Sequence, residues 1–185
     1  MSRIVFLVEE PSMKELLERL LPRVLPPASQ FLIIKHEGKT DLERSIPRKL
    51  RAWKHPQDLF VILRDQDGAD CIEIKHRLRM LCENGGRSGT LIRIVCNELE
   101  SWFLGDLGAV GAAFGLPHLA DDQNKSKFRN PDNVGNAKEE LKKLAGDYQP
   151  VSGARSIALH MDLEANRSRS FHCFLEGLRR ITPSL

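Results

Sequence analysis

Long apolar runs, paired cysteines and concentrated charge of one sign are all missing from this sequence, and each absence removes a class of function. No uninterrupted apolar stretch approaches the roughly 18 residues of a membrane-spanning helix, so no membrane segment is expected. Cys71, Cys82, Cys96 and Cys173 form no C-x-x-C pair and have no histidine at zinc-ligand spacing. They read as buried or semi-buried free thiols in a reducing cytosol. The six histidines include no metal-binding pair at helical spacing. Gly38-Lys39-Thr40 lacks the upstream glycine of a phosphate-cradling P-loop, which argues against nucleotide binding of that kind. A net charge of +3 and a pI of 8.7 permit nucleic-acid contact without arguing for it, since dedicated binders carry a denser basic stripe. The first apolar run ends in two glutamates, unlike a signal peptide, and the cytoplasm is the expected location.

What is present suits one domain. The 185 residues include 41% hydrophobic and 29% charged side chains, enough for a core and for a soluble surface. Arg3 to Val8, Phe31 to Ile34, Leu59 to Leu63 and Leu91 to Val95 are short β-branched and apolar runs, which is how buried parallel strands read. Helical spacing separates them. Met13 to Leu21 is expected to start at Ser12, with Glu15 at capping-box spacing, and to end at Pro22. Asp41 to Trp53 should be kinked or split at Pro47, and Ala69 to Cys82 supplies a third helix. The alternation predicts an α/β, three-layer, Rossmann-like fold with a mostly parallel sheet of about four strands. After Cys96 the pattern turns helical, apart from a polar segment, Asp121 to Asn136, that reads as a long exposed loop. The expected organisation is a single domain over 1–185, with an α/β core at 1–106 and a mainly helical extension at 107–185.

Parallel α/β sheets bind ligands beyond the carboxyl ends of their strands. Here two such ends are acidic: the first strand runs into Glu9-Glu10, the third into Asp65-Gln66-Asp67-Gly68. If those strands are neighbours, three or four carboxylates meet, and their mutual repulsion calls for a cation. Magnesium or manganese, with oxygen ligands and room for a phosphate, fits that need.

A hydrophobic strand ending in Val8-Glu9, then a helix, and a later strand ending in Asp65-x-Asp67, resembles the Toprim fold of topoisomerases, primases and overcoming-lysogenization-defect (OLD) type nucleases. Val8 to Ser12, Glu37 to Glu43, Asp65 to Asp67, Glu98 to Asp106, Gly153 to Ala158 and Ser168 to Phe171 resemble more closely a bacterial Toprim-like family of unknown function. The resemblance implies a Toprim-like fold and metal-dependent phosphoryl transfer on nucleic acid, with DNA favoured over RNA. Glu9, Asp65 and Asp67 would be catalytic and hold Mg2+ or Mn2+, and Glu100 would add a ligand. Apart from the resemblance, Lys39 in the loop after the second strand is a candidate to meet a phosphate, and Arg155, Arg167 and Arg169 are candidates to line a phosphate path. Glu10 stands where related proteins have glycine, and Met13 where many have a second acidic residue, which favours one metal over two. The rival reading is a non-catalytic partner of a separate ATPase. Asp65-x-Asp67-Gly68 also resembles haloacid-dehalogenase phosphatases, but there the motif ends the first strand and Glu9 has no role.

Overall fold

The computed structural model describes residues 3–182. Four strands, β1 (Arg3–Val8), β2 (Gln30–Lys35), β3 (Leu59–Asp65) and β4 (Leu91–Val95), form an all-parallel sheet in the order β2-β1-β3-β4. The helices between them are α1 (Pro11–Val24), α2 (Lys39–Ala52) and α3 (Cys71–Asn84). Beyond β4 lie α4 (Glu100–Leu104), α5 (Leu107–Phe114), α6 (Leu119–Asp122), α7 (Ala137–Leu144), α8 (Pro150–Ala158) and α9 (Arg169–Ile181). Among the described residues no helix is long and apolar enough to cross a membrane.

The two faces of the sheet are packed differently. Strand side chains alternate between faces. Ile4, Phe6, Val8, Val61 and Leu63 therefore meet α1 and the later helices, through Leu16, Trp102, Ile157 and Phe171. Val5, Leu7, Phe60 and Ile62 meet only α2 and α3, through Leu42, Ile46, Leu50, Ile74 and Leu78. Helices thus cover both faces, and the larger core joins β1 near the start of the chain to Leu178 near its end.

Several local expectations are corrected. α1 begins at Pro11 with Glu10 in the capping position, so Ser12 is not the cap; its hydroxyl donates to the Glu10 carboxylate instead. α1 runs past Pro22 to Val24. Proline forfeits one intrahelical bond there, but buried Leu20, Leu21 and Leu25 hold the turn. The Arg23 guanidinium also donates to Ala158 O at 2.9 Å and Met161 O at 2.6 Å. Pro47 does not split α2, because Leu42, Ser45, Ile46 and Leu50 form one buried stripe across it. Most of the segment 121–136 is exposed, as expected, but it is not a structureless loop. It holds two short 3-10 turns and buries Phe128, Pro131 and Val134. Cys71 and Cys173 are exposed rather than buried, and all four thiols are free.

At the amino edge, Asp58 ties the start of β1 to the start of β3. It accepts the Arg3 backbone N–H and guanidinium, each at 3.0 Å, and Trp53 Nε1 at 2.9 Å. Burial pushes its carboxyl up, but these donors together hold it below the ordinary value. A depressed native pKa stabilises above the unfolded value of about 3.9, and that contribution fades as pH falls through the native value. Asp58→Asn should therefore lose roughly 1–3 kcal/mol at neutral pH. The gap to wild type should narrow steadily in urea titrations taken below about pH 4. A gap independent of pH would rule out this role.

Candidate metal centre

The order β2-β1-β3-β4 reverses direction at β1 and β3, so the crevice beyond their carboxyl ends is the topological switch point. Val8 pairs with Leu63, which brings Glu9 and Asp65 together across the seam. The Glu9 carboxylate accepts the Asp65 backbone N–H at 3.2 Å. Asp65 lies within β3 rather than after it.

The pleat then divides the carboxylates. Asp65 follows Val61 and Leu63 onto the face with α1 and α4, where Glu10 and Glu100 also act on it. Glu9 follows Val5 and Leu7 onto the other side, beside Arg64, whose Nε is 3.7 Å from Glu9 Oε2. Buried Arg64 also donates to Glu43 of α2, which Arg77 of α3 reaches at 3.0 Å. Asp67 stands at the mouth, paired with Lys39 at 3.2 Å, its side chain 35% exposed. Its φ of 52° is a left-handed conformation that aspartate tolerates better than most residues.

Burial, reinforced by Asp67, pushes the Glu9 carboxyl up to about 7 against the opposing pull of the Asp65 amide and Arg64. Asp65 is raised well above its ordinary value, by burial first and then by Glu10, Glu9, Glu100 and Asp67. Its Oδ1 is buried and has no hydrogen-bond partner among the described residues. Such an orphaned acceptor is unusual in a folded protein and calls for a missing partner. Glu100, 3% exposed, is raised by burial and partly relieved by Tyr148, whose hydroxyl donates to it at 2.7 Å. An all-oxygen donor set fits a hard divalent cation in its chemistry. Side-chain placement fits less well: among the described residues no three His, Cys, Asp or Glu side chains are grouped as ligands of one ion. The pleat, which sends Glu9 and Asp65 to opposite faces, gives the reason.

Lys39 lies at the crevice. Arg155 does not; it sits on α8 and donates to Glu15 of α1 at 2.7 Å. Arg169 lines a separate groove along β4, and Arg167 is tied to Gln123 O at 2.6 Å. Arg64 and Tyr148 are the participants that sequence reasoning did not place in the site, and Glu10, read only as part of the acidic strand end, acts on Asp65. The signal for Tyr148 was its singularity, as the only tyrosine in the chain. Gly153 makes room for it, since a β-carbon there would stand 2.4 Å from its ring. Likewise Trp102, two residues after Glu100 on α4, donates to Ser170 at 2.8 Å, and Ser168 and Ser170 both hold Asp132. Separate motifs of the sequence thus support one structure behind the crevice.

These features define a doubly wound α/β protein with an acidic crevice at its switch point. The chain belongs to the family described as Domain of unknown function (DUF4276), whose model matches residues 8–179. No curated protein and no solved structure matches it.

Helix α3 is capped by Asp70, which accepts Ile72 N at 2.7 Å and Glu73 N at 3.1 Å, so Asp67 does not cap it. Asp70→Ala should then lose roughly 0.5–2 kcal/mol, whereas Asp67→Asn should leave metal-free stability equal or higher. Because Asp67 raises Glu9, the Asp67→Asn variant should also titrate Glu9 lower, as followed by carboxyl carbon NMR. An unmoved Glu9 would separate the two residues electrostatically.

Proposed function

We propose that this chain is a Toprim-like, divalent-cation-dependent phosphoryl-transfer protein acting on nucleic acid, akin in chemistry to OLD-type nucleases, with DNA favoured over RNA. One observation carries the reading: the buried Asp65 carboxylate at the switch point, with an unpartnered Oδ1 and four further carboxylates acting on it or beside it. Repulsion and desolvation of this kind persist where a function requires them.

Asp65 and Glu9 would hold Mg2+ or Mn2+, with Asp67, Glu100 and Glu10 as further donors, once Glu9 or Glu10 turns from its present partner. Bound there, a divalent cation supplies charge stabilisation to a phosphoryl oxygen and acidifies a water. Arg64 faces the Glu9 carboxylate from the α2 side of the sheet at 3.7 Å, an ion-pair distance without a hydrogen bond. Glu9, with its carboxyl near neutrality, is suited to take or give a proton at working pH. Lys39, half exposed at the mouth, is free to exchange Asp67 for a phosphate.

The competing reading, a non-catalytic metal- or nucleic-acid-binding partner of a separate ATPase, draws on one observation. Tyr148 and Arg64 already engage Glu100 and Glu9, as they would in a site that has settled into a structural role.

Thermal melts with manganese and incubation with plasmid, single-stranded DNA and RNA test both. Wild type should gain about 2.7 kcal/mol when manganese reaches about a hundred times its dissociation constant. Asp65→Asn should abolish that gain while matching or exceeding wild type without metal. Glu9→Gln should reduce cleavage at least about a hundredfold. Metal-independent melts sink the metal site; a metal shift without cleavage of any substrate selects the partner reading.

A further inference from the structure

β4 is an edge strand, and its outer edge is open at Ile94, between Ile92 and a Cys96 whose N–H donates to Ser170 at 3.4 Å. Val95 turns its carbonyl towards β3, where it accepts Gln66 N–H at 2.9 Å. Backbone groups alternate in direction along a strand, so those of Ile92 and Ile94 face away from the sheet. Ile92 O is taken by the guanidinium of Arg93 at 2.9 Å. Among the described residues no partner reaches the outward N–H or C=O of Ile94. An exposed edge of this kind is a template for another strand unless it is covered.

A groove of about 780 Å³ runs along that edge, with α3 as one wall and α9 as the other. Its floor is aliphatic, formed by Ile92 and Ile94, and Ile72 at the rim is 75% exposed. Its walls are basic. Lys75 and Arg79 stand on α3, Arg169 and Arg180 on α9, while Arg93 lies between, against only Asp132 and Glu176 of opposite sign. Asp132 is already engaged by Ser168 and Ser170, and Glu176 faces Arg180 at 3.8 Å.

We propose that this groove receives an extended, acidic segment of a partner protein, which adds to β4 as a fifth strand. Successive side chains of an added strand point alternately to the two sheet faces, and here each face offers cations, so acidic residues at consecutive positions are all matched. Main-chain bonds to Ile94 supply affinity and the basic walls supply selectivity, the usual division in strand addition. A second copy of this chain fits poorly, because edge-to-edge pairing would oppose two basic rims. Single-stranded nucleic acid fits poorly too, since no Phe, Tyr or Trp lines the groove for bases to stack on. The inference is independent of the acidic crevice.

Cys71, Cys96 and Cys173 line the same groove, while Cys82 is buried elsewhere in the core. They report its occupancy. A fluorescent peptide of about ten residues, rich in Glu and Val, is titrated onto the whole chain, a length that covers the edge. Saturation should slow alkylation of Cys71 and Cys173 by N-ethylmaleimide at least threefold, followed by mass spectrometry. The same peptide N-methylated at alternate residues keeps its charge but cannot form the ladder, and should bind at least tenfold more weakly. Arg79→Glu combined with Arg169→Glu should weaken the parent peptide at least tenfold with an unchanged melting temperature; an acidic residue in the first turn of α9 is compatible with that helix. Equal binding of the methylated peptide, or no thiol protection, overturns the proposal. So does tighter binding of an oligothymidine, or self-association that protects the thiols without peptide.

Discussion

Parallel pairing of β1 with β3 brings Val8 opposite Leu63 and places the next acidic residues of two distant segments side by side. The bond from the Asp65 amide to the Glu9 carboxylate continues the ladder one step beyond its last backbone pair. That single continuation holds a charge at the edge of a sheet whose faces are both covered. It also explains why the two carboxylates are near neighbours and yet exit to opposite faces. Glu9 thereby falls to the α2 side and Arg64, Asp65 to the α4 side and Glu100. Opposite exits make the crevice a meeting of two half-sites rather than a closed set of ligands.

Much of this was legible in the sequence. β1 and β4 were expected with the bounds the structure gives them, and the acidic strand ends do fall at neighbouring strands. Apolar runs between turn residues are a strong signal because a buried parallel strand has no alternative way to satisfy both faces. The prolines misled. Pro22 and Pro47 lie inside helices, where the missing bond is outweighed by a buried stripe that only the tertiary fold reveals. The segment 121–136 is exposed as its polarity suggests, but its turns and its buried anchors Phe128, Pro131 and Val134 were not legible. Its polar residues are there to be hydrogen-bonded, Asp132 by two serines more than thirty residues away. Arg64 was invisible as a site residue and Tyr148 was marked only by being the sole tyrosine, because each acts through a partner distant in sequence.

The helical region after β4 is part of the site's support rather than an appendage to it. Gly153 on α8 leaves space for the Tyr148 ring, Tyr148 donates to Glu100, and Glu100 raises Asp65. Trp102 of the same short helix is fully buried against Phe171 and Phe174 of α9. A helix of five residues has little stability of its own. Its orientation, and so the placement of Glu100, is set by what α5, α7 and α9 pack against it.

The small net charge of the chain hides a strong separation of sign. Five carboxylates gather around the carboxyl ends of β1 and β3, while five basic side chains line the open edge of β4. These two sets cancel, and the rest of the chain sets the net charge of +3, which is why composition alone reads as neutral towards any partner. Fields of opposite sign on one small domain act locally, since salt screens them over about 8 Å at physiological ionic strength. A polyanion approaching the acidic mouth therefore needs a bound cation there, whatever the β4 edge offers. An acidic peptide at that edge needs none. The two proposed sites would thus demand opposite chemistry from their ligands, and the crevice could take a phosphate only with its own charge neutralised.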